Sequence, residues 1–216
     1  MKEEVSIEIK QEGVTLQGTL TVPPQAKGIV LFAHGSGSSR FSSRNQFVAN
    51  VLVHHKMATL LFDLLTSEEE KIDDITRELR FDIPFLAKRL IAVTHWIRNN
   101  PEVSSLKIAY FGASTGSAAA LIAGAEEKDK IIAIVSRGGR PDLALKYLAD
   151  VKAPTLLIVG GNDYGVIDLN KEAFKKLTSI KKLEIVAGAT HLFEEMGALE
   201  AVADLASNWF EKAFAE

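Results

Sequence analysis

Cysteine is missing from all 216 positions, which excludes disulfides, thiolate metal sites and a cysteine nucleophile. Basic charge is not in excess either. Twenty-five Lys and Arg face 28 Asp and Glu, for a net charge of -3, whereas nucleic acid and acidic membrane surfaces attract basic proteins. No apolar run is long enough to cross a bilayer, and the opening MKEEVSIEIK lacks the apolar core of a signal peptide. Internal repeats, low-complexity tracts and proline-rich linkers are absent too. The expectation is a cytoplasmic protein with a small-molecule substrate and no nucleic-acid or membrane partner, as a monomer or small homo-oligomer. Hydrophobic residues at 47% and charged residues at 25% give an ordinary globular balance. The length suits a single domain, 1–216, with a sizeable core.

Two periods alternate along the chain. Val5–Ile9 and Val14–Val22 alternate as strands do, with a turn at Gly13. Short apolar runs follow at Gly28–Ala33, Ala58–Phe62, Ile108–Phe111, Ile131–Val135 and Thr155–Val159, and Leu183–Val186 reads as a further strand. Such runs suit strands buried on both faces of a parallel sheet. Between them lie helical stripes: Ile83, Leu86, Leu90, Val93 and Ile97; Ala118, Leu121, Ile122 and Ala125; and Leu199, Val202, Ala203, Ala206, Trp209 and Phe210. The alternation predicts an α/β fold, a mostly parallel doubly wound sheet with helices on both faces. The acidic stretch 66–82 reads as a solvated loop with some helical turn, or as a small lid. Ligands of such sheets bind beyond the carboxyl ends of the strands, so chemistry belongs on the loops that directly follow apolar runs.

The run KIAYF leads straight into Gly112-Ala113-Ser114-Thr115-Gly116 and then a helix. This is G-x-S-x-G in its strand–turn–helix context, in which a sharp turn lifts a serine oxygen above the sheet. The alternative is a serine that merely caps a helix. A serine hydroxyl needs a base. Of five histidines, His54 and His55 fall on a helical segment, His95 within the helix 83–98, and His34 at the end of a buried strand. His191, in Gly188-Ala189-Thr190-His191, follows the last strand. An acid should precede it in chain order, and Asp163, after TLLIVGGN, does so. Asp168, Asp142 and Glu184 are weaker rivals. Ser114, Asp163 and His191 are thus the candidate catalytic residues. The loop His34-Gly35-Ser36-Gly37-Ser38-Ser39 offers a backbone N–H at Ser36 which, with that of Thr115, would form an oxyanion hole.

Arg137 and Arg140 follow a buried strand, and Arg40 and Arg44 follow the early loop. Arg137, Arg140 and Arg40 are candidates to bind an anionic substrate, since a guanidinium matches a carboxylate with two parallel hydrogen bonds. The alternative is a structural role against the acidic stretch. Gly35-x-Gly37-x-x-Arg40, with Asp63 ending the next strand, resembles part of a dinucleotide fingerprint but lacks its third glycine. No cofactor is expected. No metal is expected either: His54 and His55 cannot share one helix face, and His191 with Glu194 or Glu195 is a weak pair.

HGSGSS, the G-A-S-T-G elbow, the late Gly-Gly-x-Asp and G-A-T-H together resemble the dienelactone hydrolase-like branch of the α/β-hydrolases, from about residue 14 to the end. The resemblance implies the α/β-hydrolase fold without a large cap domain. It also implies a Ser114–Asp163–His191 triad served by Ser36 and Thr115. The namesake enzymes carry cysteine in the elbow where this chain has serine. The expected function is cleavage of ester-type bonds, lactones and thioesters included, through an acyl-enzyme; the alternative is a non-catalytic small-molecule binding protein on the same fold.

Overall fold

A computed structural model describes residues 3–11 and 13–215. Its strands are β1 (Glu3–Gln11), β2 (Val14–Val22), β3 (Ile29–Ala33), β4 (Ala58–Phe62), β5 (Ile108–Ala113), β6 (Ile131–Arg137), β7 (Thr155–Gly160) and β8 (Lys181–Val186). They form one eight-stranded sheet in the order β1-β2-β4-β3-β5-β6-β7-β8. β1 and β2 are antiparallel, as are β2 and β4; every pairing from β4 across to β8 is parallel. The helices are α1 (Ser43–His54), α2 (Ser67–Thr76), α3 (Ile83–Asn99), α4 (Thr115–Glu127), α5 (Tyr164–Lys176) and α6 (Ala198–Ala215).

Alternation along the strands divides the core in two. Ile29, Leu31 and Ala33 of β3 join one apolar cluster with α3, α4 and α5. Val30 and Phe32 point the other way, into a second cluster with α1 and α6. The inner parallel strands β3 to β7 are therefore buried on both sides, which is why they read as continuous apolar runs rather than as alternating ones. α4 is the most deeply packed helix: residues 115–125 are all buried, and its alanines let it lie close beneath the strands.

Several strands run further than their apolar runs. β5 continues through Gly112 and Ala113 because these pair with Ser136 and Arg137 of β6. The ladder thus carries polar residues to the sheet rim, where composition alone suggests loop. β8 begins with Lys181 and Lys182 at the sheet edge, a position where exposed lysine is favoured. The acidic stretch is not a loop: α2 occupies 67–76. A reciprocal pair of hydrogen bonds between Thr66 and Glu69 starts it, and three glutamates in its first turn suit the positive end of the helix. The 45 residues between β4 and β5 hold α2 and α3 and no separate cap.

Candidate active site

Five loops at the carboxyl ends of β3, β5, β6, β7 and β8 carry the residues of interest. Ser114 sits between β5 and α4 at φ 51°, ψ -121°, a backbone conformation that costs a non-glycine residue about 1–3 kcal/mol. Its surroundings hold it there. Ser114 N–H donates to the Arg137 carbonyl, and the Ser114 carbonyl accepts from the N–H groups of Ser117 and Arg140, each at 3.1 Å. Any side chain at Gly116 would strike the carbonyls of Ala33 and His34, so that glycine sets how closely α4 approaches β3. The Ser114 hydroxyl makes no capping bond to α4, which removes the reading of a simple helix cap.

The loops that carry Asp163 and His191 are stitched together. Gly161 N–H donates to Val186, Asn162 N–H to Ala189 and Asn162 Nδ2 to Gly188, each through a backbone carbonyl. Asp163 stands at the start of α5 but caps nothing. Its Oδ2 instead lies 2.7 Å from His191 Nδ1, a contact that favours the ring proton on Nδ1. Ser114 and His191 line one cleft of about 220 Å3, with Gly35, Ser36, Ser38, Ser42, Arg44, Asn45 and Arg137. Among the described residues no hydrogen bond joins Ser114 Oγ to His191, a separation common in unliganded sites.

The other candidate acids and bases lie elsewhere. Asp142 is paired with Arg140, Asp168 with Lys171 and Glu184 with Lys182. His54 bonds its own helix, His55 contacts Glu211 and His95 contacts Glu127. His34 is buried between backbone partners: Nε2 accepts from Leu64 N–H at 3.1 Å and Nδ1 donates to the Gly35 carbonyl at 2.9 Å. Burial first of all lowers its pKa, against the opposing pull of Gly35 and Asp63. Glu194 pairs with Arg44, and Glu195 accepts from the Thr190 hydroxyl. No cluster of three metal-ligating side chains occurs among the described residues.

The loop 34–39 is tied to the elbow. Ser36 N–H donates to Thr115 Oγ1 at 2.9 Å, and the two hydroxyls lie 3.0 Å apart. The donor expected to hold an oxyanion is thus engaged by the Thr115 side chain at rest.

The four arginines divide cleanly. Arg40 is bound to Asp63 through both backbone and guanidinium and lies away from the cleft. That pair also occupies the carboxylate on which a dinucleotide reading would depend. Arg140 grips Asp142 with two hydrogen bonds of 2.9 and 2.7 Å and does not line the cleft either. Arg137 and Arg44 do line it. Arg137 is 7% exposed; it donates to Asn45 Oδ1 at 3.3 Å, and its Nε and Nη1 have no partner. Neither Arg137 nor Arg140 meets the acidic stretch, whose charge is answered by Arg80 and Arg89 instead. Asn45 and Ser42 were not foreseen as cleft residues; the only sequence signal was a serine placed to cap α1.

The dienelactone hydrolase family model matches residues 16–214. A Mycobacterium tuberculosis protein bearing the provisional name phosphoribosyl transferase is 56% identical over 197 residues, covering 91% of this chain but only 44% of that protein. This chain therefore spans less than half the length of that curated relative. A dienelactone hydrolase from Anabaena variabilis superposes with a TM-score of 0.97 at 56% identity, over 98% of each chain. Est1E from Butyrivibrio proteoclasticus gives a TM-score of 0.82 at 17% identity, over 98% of this chain and 99% of that one. At that identity the likeness shows the fold, which is that of the α/β-hydrolases.

Proposed function

The chain belongs to the dienelactone hydrolase family, and from that premise we propose that it is a serine hydrolase cleaving ester-type bonds of a small substrate through an acyl-enzyme. The observation that carries the reading is the 2.7 Å contact between Asp163 and His191 at the wall of the cleft that Ser114 also lines. Ser114 Oγ attacks the ester carbonyl carbon and passes its proton to His191 Nε2. Asp163 holds the imidazole in the required tautomer and stabilises its charged form. The tetrahedral oxygen takes the backbone N–H of Thr115 and that of Ser36, which shares or leaves its present bond to Thr115 Oγ1. His191 then protonates the departing alcohol, and later takes a proton from the water that frees the acid and restores Ser114.

The transferase name of the mycobacterial relative attaches to a protein more than twice as long as the matched segment, so phosphoribosyl transfer is not carried over. One observation favours a second reading, a binding protein without catalysis: the engagement of Ser36 N–H by Thr115. An active-serine phosphonate separates the two. A hydrolase gives a single mass adduct on Ser114, and Ser114→Ala lowers turnover on an ester and thioester panel by on the order of 10⁴-fold or more. A folded protein that takes no adduct and turns over none of the panel is a binding module.

A further inference from the structure

We propose that the cleft contains, beside the nucleophile, a subsite for a doubly charged tetrahedral oxyanion, the phosphate monoester of a substrate, built from Arg137, Arg44 and the start of α1. The inference rests on the hydrolase reading of this cleft and names the class of substrate it takes.

The first observation is Arg137, a buried cation with no ion pair among the described residues, its guanidinium carbon 6.0 Å from the centre of the Phe193 ring. A buried guanidinium ordinarily has a carboxylate beside it, because an unpaired charge out of water is costly. Arg137 is bonded only through Nη2, to the neutral Asn45, and its remaining guanidinium nitrogens are unpartnered. Burial, and then repulsion from Arg44, lower its pKa to about 10, so it remains charged at neutral pH. The second observation is Arg44 itself. It stands in the first turn of α1, where the helix end is already positive, and no acidic residue shares that turn. Its Nε is buried without a partner. The one carboxylate on it, Glu194 at 3.2 Å, is 66% exposed, so that contact competes with water and offsets little. Two cations and a helix N-terminus therefore line the same cleft.

The third observation concerns the donors. Ser36, Ser38 and Ser42 line the same cleft. Hydroxyls in the same cleft as two guanidiniums, Ser42 accepting from Asn45 N–H and Ser36 beside Thr115 Oγ1, suit an anion with three outward oxygens, whereas a planar carboxylate is satisfied by one guanidinium edge. A charge of two matches two arginines. Three other arginines are each matched by a carboxylate, Arg40 with Asp63, Arg80 with Asp73 and Arg140 with Asp142. Beside Ser114, Arg137 makes no ion pair among the described residues and Arg44 has only the exposed Glu194.

Inorganic phosphate is the probe. Titration into the intact protein, followed by calorimetry and thermal melting, should show saturable binding that raises Tm. Arg137→Met should weaken phosphate binding on the order of 10- to 100-fold. It should also leave the Tm of the ligand-free protein unchanged or higher, since it replaces a buried unpaired cation with an apolar chain. An arginine kept only for structure would do the reverse, lowering Tm without changing phosphate affinity, and that result overturns the proposal. Arg44→Gln, at a partly exposed position, is the second variant and should weaken phosphate on the order of 5-fold. Acetate binding as tightly as phosphate would overturn the assignment of a dianion. Loss of phosphate binding alongside turnover of neutral esters sinks the subsite and leaves the hydrolase standing. Phosphate binding with no ester turned over keeps the subsite and sinks the hydrolase.

Discussion

On one flank of the loop 34–39, Arg80 is gripped by the carboxylates of Asp73 and Asp74. On the other, Arg137 and Arg44 face the cleft with guanidinium nitrogens unused. The two flanks share Gly35, Ser36 and Ser38 as a common wall, yet they handle charge in opposite ways. Asp73 is 1% exposed and accepts Arg80 N–H at 3.0 Å and Nε at 2.5 Å. Burial alone would raise its pKa, but the Arg80 hydrogen bonds and charge together hold it below the ordinary carboxylate value. The α2 flank is thus internally satisfied, and the work of its charges is to fasten α2 and the turn after it. The cleft flank instead leaves Arg44 Nε and Arg137 Nε and Nη1 without partners among the described residues. Substitutions on the two flanks should therefore fail differently: the cleft in turnover, the α2 flank in stability.

The largest effect expected is on the cleft side. Asp163→Asn keeps size and shape but can donate to His191 Nδ1, which favours the wrong tautomer. Turnover should fall on the order of 10⁴-fold, with Tm within a few degrees of the parent because Asp163 caps no helix. Steady-state kinetics beside a melting curve tests both halves. A loss of stability that matches the loss of activity would erase the contrast between flanks.

Asp73→Ala is the counterpart. It strands Arg80 beside the single, largely exposed Asp74. The expected cost is roughly 2–4 kcal/mol, the range for breaking a mostly buried pair, read from urea unfolding. Turnover per folded molecule should change little, since Asp73 touches none of the cleft-lining residues through a hydrogen bond. A large fall in turnover with unaltered stability would make α2 part of the catalytic apparatus.

The sequence shows this division only in part. Strand positions were legible because burial on both faces writes uninterrupted apolar runs, as in Ala58–Phe62. The loops bearing Ser114 and Asp163 were legible because each follows such a run; the loop bearing His191 follows β8, where Glu184 interrupts the apolar residues. What sequence could not separate was the arginines. Arg40, Arg137 and Arg140 all leave the carboxyl end of a buried strand or its loop, and all looked alike. Arg40 is neutralised by Asp63, 23 residues on, a pairing that only the adjacency of β3 and β4 creates. The Asp142 partner of Arg140 is two residues away and was open to view. The isolation of Arg137 had no local signal at all, because a missing partner is a property of three-dimensional surroundings. The extent of α2 was obscured for a related reason. Few apolar positions mark it, and its support comes from the Thr66–Glu69 cap and from Arg80 rather than from an apolar stripe.

The smallest effect falls on His34, which lines the α2 flank beside the shared wall. Its pKa is lowered, first by burial, so the unfolded chain binds a proton at a pH where the folded protein does not. The sign follows from linkage: where the unfolded state holds more protons, stability rises with pH. The stability that neutral His34 contributes is complete above the ordinary histidine value of about 6.5. It is lost progressively as pH falls from there towards the lowered folded value, at no more than about 1.4 kcal/mol per pH unit. Protonation at Nε2 would also break the bond that Leu64 N–H makes there. The lowered pKa of Asp73 acts in the same direction but only below the ordinary aspartate value, so the two limbs separate along the pH axis. Urea titrations between pH 7.5 and 5 should show a shallow decline that His34→Phe flattens, on a lower baseline because two hydrogen bonds are gone. The same decline persisting in that variant would assign it to another group and remove His34 from the contrast between the flanks.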